Sequence, residues 1–301
     1  MPSKSRERQL AKLAARRKAE QTSAQRRKRI TAGIVGAVVG LAAIGVGVAF
    51  VLGGNDTDNP VASGSPSASA TSSPSSGGLP TKTGTVTPQA EPAKTVACGG
   101  ARPADAGAPK PQFDAAPAPK QVLKNNLTYT AVMETSCGTI KIALDSGNTP
   151  QTVASFVFLA DKGYFDGQFF HRIDDSIDVI QGGDPLGNGQ GGPGYSIPDE
   201  LSGHENYTPG TVAMANAGPG TGGSQFFIIT GPDGTNLNGN PNYTIFGRVV
   251  DGLDVTKTIN ALMPKGQKNY DGAPTEAVYI DKVTIETAKA SGSSPSASPS
   301  S

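Results

Sequence analysis

Between Gly53 and Pro119 the chain is mostly Ser, Ala, Pro, Gly and Thr, with almost no large apolar residue, and this stretch limits what the rest can build. A segment of that composition buries too little surface to offset its ordering entropy. Residues 53–125 are therefore expected to form a disordered, low-complexity linker. The end of the chain, residues 289–301, has the same composition and the same expectation. Residues 126–288 remain, about 160 in number, enough for one well-buried core. One folded domain is expected.

The formal net charge of +1 conceals an asymmetry. Residues 1–29 hold eleven Lys and Arg against only Glu7 and Glu20. A basic arm by itself would suggest nucleic acid. This one runs directly into Ile30–Leu52, which carries no charge. As a helix that segment would span roughly 34 Å, enough for a bilayer core of about 30 Å. Basic flanks stay in the cytoplasm, so the N-terminus is expected inside and the domain outside the cell membrane, in a single pass. A cleaved signal peptide would have a shorter apolar region, typically about 7–15 residues, and a small-residue cleavage site that is not evident here. The arm then suits anionic lipid headgroups better than nucleic acid.

Cys98 and Cys137, the two cysteines, both fall on the outer side of that expected membrane. In an oxidising compartment they either pair or stand as independent thiols. With no CxxC and only two histidines, no metal site is expected.

Within residues 126–288, Leu127–Glu134 and Thr139–Leu144 read as a hairpin. Thr149-Pro150 offers an N-cap and a first-turn proline, and the apolar spacing Val153, Phe156, Val157, Ala160 fits a helix ending at Gly163. Short strands are expected at 169–173, 179–181, 210–214, 225–230 and 244–249, a second helix at 253–261 and a last strand at 278–286. Many short strands, Gly-rich connections and two helices suggest an antiparallel barrel or sandwich.

Several motifs fail on their context. Gly187 to Gly192 matches G-x-G-x-x-G, but Pro193-Gly194 follows where a dinucleotide site needs a helix. Asp174, Asp175 and Asp178 lack the spacing of a calcium loop. There is no G-x-S-x-G elbow for a serine hydrolase.

Four segments remain: Phe169-Phe170-His171-Arg172, Gln181-Gly182-Gly183-Asp184, Met214-Ala215-Asn216-Ala217-Gly218-Pro219 and Ser224-Gln225-Phe226-Phe227. Neighbours in a strand face opposite sides, so one of Phe226 and Phe227 belongs to the core and the other faces outward. An outward Phe beside Arg172 and Gln181 marks a binding surface. In order and spacing, these segments and Phe246–Val255 resemble the cyclophilin family, over about residues 126–287.

The resemblance implies a mainly β fold, a closed eight-stranded antiparallel barrel capped by two helices. It implies catalysed rotation of Xaa–Pro peptide bonds without metal or cofactor, by a monomeric domain acting on proline-containing unfolded or exported polypeptides. Arg172 takes the catalytic cation's place, with Gln181 and Phe227 beside it. Phe170, Val179, Leu237 and Tyr243 line the substrate pocket, and Ala215, Asn216 and Ala217 hold the extended peptide. His171 is expected to be structural, since no proton is transferred. A proline-binding tether with little turnover and a general holdase are the other function classes, and an intact Arg172 favours the enzyme.

The chain also departs from the family pattern. One extra residue lies between His171 and Gln181, so the place of a pocket Phe falls near Ile177 or Asp178. Trp is absent, with Asn236 about where the family often has one, and Tyr243 stands where many members have His. That Trp donates a hydrogen bond to cyclosporin-like drugs in the family, so their inhibition is expected to be weakened. Full nanomolar potency in an inhibition titration would contradict this.

Overall fold

The computed structural model describes residues 78–90 and 92–290. The basic arm expected at 1–29, the apolar span at 30–52 and the tail beyond 290 lie outside the described residues. Among the described residues no helix is long and apolar enough to cross a membrane.

Two strands, β1 (Lys82–Val86) and β2 (Lys110–Phe113), form a small antiparallel sheet of their own, and a short helix α1 (Pro119–Val122) follows. Then come β3 (Leu127–Thr135), β4 (Gly138–Leu144), helix α2 (Pro150–Asp161), β5 (Gln168–Phe169), β6 (Arg172–Asp174), β7 (Val179–Gly182), β8 (Thr211–Met214) and β9 (Phe226–Ile229). A 3₁₀ segment (Pro232–Gly239) leads to β10 (Ile245–Asp251), helix α3 (Leu253–Asn260), β11 (Asp271–Gly272) and β12 (Tyr279–Lys289). The predicted hairpin, both helices and the last strand are present, each within a few residues of its expected limits.

The large sheet is antiparallel and curled, with ten strands in the order β11-β6-β7-β9-β8-β10-β4-β3-β12-β5. The resemblance implied eight. Part of the difference is the strand expected at 169–173, which is one run that changes partner. Its first half pairs with β12 and its second with β7, the switch falling where Phe170 N–H bonds Val278 O and His171 N–H bonds Gln181 O. The rest is β11, only two residues long. Beyond β7, Gly183 adopts φ +80°, and a Cβ there would collide with the Ser224 carbonyl oxygen, so the second Gly of the QGGD segment is set by backbone.

The main core lies on the inner face of this sheet, where Ile173, Ile180, Val212, Phe226 and Ile228 meet Phe156 and Phe165. Phe156 stacks on Phe165 at 4.8 Å and meets Phe226 edge-on at 5.9 Å. In α2 every residue from Thr152 to Ala160 is buried, so the helix is covered on all sides.

The linker expected over 53–125 is corrected from residue 78 onward. The described residues of 78–125 form β1, β2 and α1 and pack on the domain. Phe113 meets Phe158 of α2 at 4.8 Å, and Gln151 Nε2 donates to Pro117 O at 2.9 Å. Val96 bridges Ala277, and the Cys98 and Cys137 sulfurs are bonded. This extension has few apolar residues because it completes the domain's core instead of building one.

Thr149 does not cap α2 with its side chain. Its Oγ1 donates back to Asp145 O at 2.9 Å, and Pro150 fills the first turn. The free N–H groups go instead to the Glu200 carboxylate, which accepts from Gln151 N at 2.9 Å and from Thr152 N and Oγ1 at 2.8 and 2.7 Å. A carboxylate at a helix N-terminus satisfies donors and complements the helix dipole. Glu200→Ala should cost about 2 kcal/mol, given the usual worth of caps and charged hydrogen bonds. Urea unfolding of the variant against the parent protein measures it.

Candidate active site

Strand alternation sends the partners of the core residues to the opposite face. Cross-strand pairing aligns Arg172 with Gln181, Gln181 with Phe227 and Phe227 with Ala213 across β6, β7, β9 and β8. Two residues along, Asp174 pairs with Val179 and Val179 with Ile229. A polar end, Arg172 with Gln181, thus adjoins an apolar one. The apolar part is a second cluster of Val179, Tyr207, Ala213, Phe227 and Ile229, with Ile177, Ala215, Leu237, Tyr243 and Ile245 around it.

Phe226 is the core member of the aromatic pair and Phe227 the outward one, as the alternation requires. Phe227 is nevertheless only 5% exposed, because loop residues pack against it. Tyr243 meets its ring edge-on at 5.2 Å. Tyr207 locks that loop, donating its hydroxyl proton to Tyr243 O at 2.7 Å and accepting from Tyr243 N at 3.0 Å. Burial pushes the Tyr207 pKa up to about 12, so it stays a neutral donor. Tyr207 was not foreseen, since it lies in a loop with no periodic pattern.

Arg172 is tied on three sides. Its Nε donates to Asp271 Oδ1 at 2.6 Å, Nη2 to Asp174 Oδ2 at 2.7 Å and Nη1 to Gln181 Oε1 at 3.0 Å. Burial works against its charge, but the bond to Asp271 and the negative charges of Asp271 and Asp174 leave its pKa above the usual arginine value. Gln181 Nε2 in turn donates to Gln225 Oε1 at 3.0 Å, and Gln225 Nε2 to Gly191 O at 2.9 Å.

Gln181 stands between two open grooves. One, of about 400 Å³, runs past Gly189–Pro193, Ala215, Asn216, Ala217 and Gln225. The other, of about 410 Å³, is lined by His171, Arg172, Asn188 and Asp271. The Asn216 side chain ties its loop to the one before β10, with Nδ2 donating to Asn242 O at 2.8 Å.

One expected site residue is placed elsewhere. Phe170 is buried in the main core, 6.3 Å from the Phe226 ring, because the partner switch between β5 and β6 turns it inward. His171 is buried too, and neither ring nitrogen has a hydrogen-bond partner. Burial, aided by the Arg172 cation and opposed by Asp184, holds its pKa below the usual histidine value, so it is neutral at pH 7. Between His171 and Gln181, Asp178 adopts φ +48° and its carboxylate accepts from Asp233 N at 2.8 Å. Ile177 packs on the apolar cluster in the region where a pocket Phe was expected. Asn236 donates to Ser176 O at 3.3 Å. Among the described residues no group of three or more His, Cys, Asp or Glu could hold a metal ion.

A family model described as cyclophilin type peptidyl-prolyl cis-trans isomerase/CLD matches residues 130–285. The chain belongs to this family. A probable peptidyl-prolyl cis-trans isomerase A of Mycobacterium leprae is 44% identical over 172 residues, covering 52% of this chain and 91% of that protein. A peptidyl-prolyl cis-trans isomerase A of Mycobacterium tuberculosis is 42% identical over 174 residues, covering 52% and 92%. A cyclophilin type isomerase crystallised from Cryptosporidium parvum aligns over 53% of this chain and 98% of its own, at 29% identity and a TM-score of 0.46. As a cyclophilin the chain is a peptidyl-prolyl cis-trans isomerase. The cyclophilin match begins at residue 130, so β1, β2, α1 and Cys98 precede it.

Proposed function

We propose that this cyclophilin speeds rotation of Xaa–Pro bonds in exported, incompletely folded polypeptides, with Arg172 stabilising the twisted amide. The supporting observation is the cross-strand run Arg172, Gln181, Phe227, which sets a cation, an amide and an aromatic ring side by side on one sheet face. Amide resonance sets an uncatalysed barrier of about 18–20 kcal/mol, slow enough to limit folding. In the twisted state the prolyl nitrogen gains a lone pair, and a guanidinium there favours that state over the planar one. Each terminal nitrogen of Arg172 spends one hydrogen within the protein, so each keeps one for the substrate.

The apolar cluster around Phe227 would hold the proline ring while the acyl side turns. The groove along Ala215–Ala217 would take the extended peptide, with Gln181 donating to a substrate carbonyl. His171, neutral and buried, has no proton to move.

The uncharged run at 30–52 and the basic arm before it support a single-pass anchor, with the N-terminus cytoplasmic and the isomerase domain outside. A soluble form should start at residue 78, since a start at 126 would discard β1, β2 and Cys98. Cis–trans exchange of a proline tetrapeptide with residues 78–290 tests the activity, and protease accessibility of the domain on intact cells tests its side of the membrane. Binding of proline peptides without turnover would favour the tether.

A further inference from the structure

The three ties on Arg172 are unequal in kind. Gln181 belongs to the proposed catalytic row, but the two carboxylates do not. Asp174 lies two residues beyond Arg172 on β6 and so shares its face. Its Oδ2 accepts from Arg172 Nη2, while its Oδ1 accepts from Ser176 N at 3.0 Å and Ser176 Oγ at 2.6 Å, which stops the carboxylate from rotating away. Asp271 comes from the far end of the sequence, on the two-residue strand β11, whose pairing sets it opposite Asp174. That segment is held by Asp175 N to Tyr270 O at 2.8 Å and by Asn269 N to Asp175 Oδ2 at 3.0 Å. A short strand at the sheet's edge thus delivers one carboxylate to one guanidinium.

We infer that Asp174 and Asp271 are positioning residues, which hold the Arg172 guanidinium in the orientation it needs at the prolyl nitrogen. This rests on the reading of Arg172 given above. The Arg172 side chain is 32% exposed, and an arginine so placed would sample many rotamers without partners. A donor already aimed costs no reorganisation when the amide twists. The opposing effect is that two carboxylates weaken the field of one cation. Asp271 is 56% exposed, so water screens much of its charge, whereas its hydrogen bond to Nε still sets direction. Orientation therefore outweighs charge cancellation.

The test uses the full-length protein in detergent and begins with Asp271→Ala, which removes the acceptor of the Arg172 Nε–H. Its exposed position should leave the melting temperature unchanged. Turnover of a proline tetrapeptide, followed by NMR exchange at several substrate concentrations, should show kcat reduced about 5- to 10-fold with KM unchanged, the scale of a modest misplacement of a catalytic group. In an Arg172→Ala background the same substitution should do nothing further. The Arg172 Nε–H resonance, held by Asp271 in the parent protein, should broaden or vanish in Asp271→Ala. Asp174→Asn should repeat the kcat loss and the dependence on Arg172. An Asp271→Ala protein with unchanged or faster turnover, or one whose loss persists without Arg172, would overturn the inference. A fully active Arg172→Ala protein would overturn the reading of Arg172 and this inference with it.

Discussion

Arg172→Ala should lower kcat/KM for a proline tetrapeptide by about 10²–10³, the usual cost of removing one preorganised electrostatic donor. The loss corresponds to about 2.7–4 kcal/mol of the barrier, against about 18–20 kcal/mol for the uncatalysed rotation. It should appear in kcat, because the planar ground state offers the guanidinium little that the twisted state does not offer better. Arg172→Lys should recover only a small part. An ammonium keeps the charge, but it cannot meet Asp271, Asp174 and Gln181 from the edges of one planar fork. The fold should persist at some cost in stability, because the buried Asp174 loses its cation while the main core lies on the opposite face. Turnover within threefold of the parent would remove Arg172 from the mechanism.

Breaking the Cys98–Cys137 bond should produce the largest change in stability. The bond closes a separation of 39 residues, which chain entropy values at about 4 kcal/mol. The bond is the one covalent cross-link between the extension and the rest of the domain among the described residues, beside non-covalent ties such as Phe113 on Phe158, Phe113 N–H to Pro193 O, Gln112 Nε2 to Gly192 O and the Val96 bridge to Ala277. A Cys98→Ser, Cys137→Ser protein should unfold at lower urea, and limited proteolysis should cut first between residues 78 and 125. Detachment would also uncover Phe158, since the extension covers the outer side of α2. An unchanged urea midpoint would show that packing alone holds the extension.

The extension was the main misreading of the sequence, and α2 contained the signal that would have corrected it. Val153-Ala-Ser-Phe-Val-Phe-Leu-Ala160 is apolar all round, and such a helix needs cover on every side. The curled sheet supplies one side, and Phe113 with α1 supplies another. Composition counted large apolar residues within the segment and found few. What it could not count were apolar surfaces elsewhere that the segment would cover. Glu200 shows the same limit, since nothing local marks it as the cap of a helix 49 residues earlier.

At the site, the faces of Phe226 and Phe227 followed from alternation alone, because the side-chain period of a strand is two. Arg172, Gln181, Val179 and Phe227 fall together for the same reason once the strands pair in register. Phe170 did not follow the pattern. The run 168–174 changes partners at its middle, and the local period gives no sign of it.

By itself the sequence determined most strands of the large sheet, the two main helices, the opposite faces of Phe226 and Phe227 and the family, since all of these are set by local periodicity and short motifs. Only the tertiary structure decided that the described residues of 78–125 complete the core, that Cys98 bonds Cys137, that Asp174 and Asp271 meet Arg172, and that Tyr207 meets Tyr243. Those pairings depend on which distant segments the curled sheet brings within hydrogen-bonding reach, and no spacing along one chain encodes that distance.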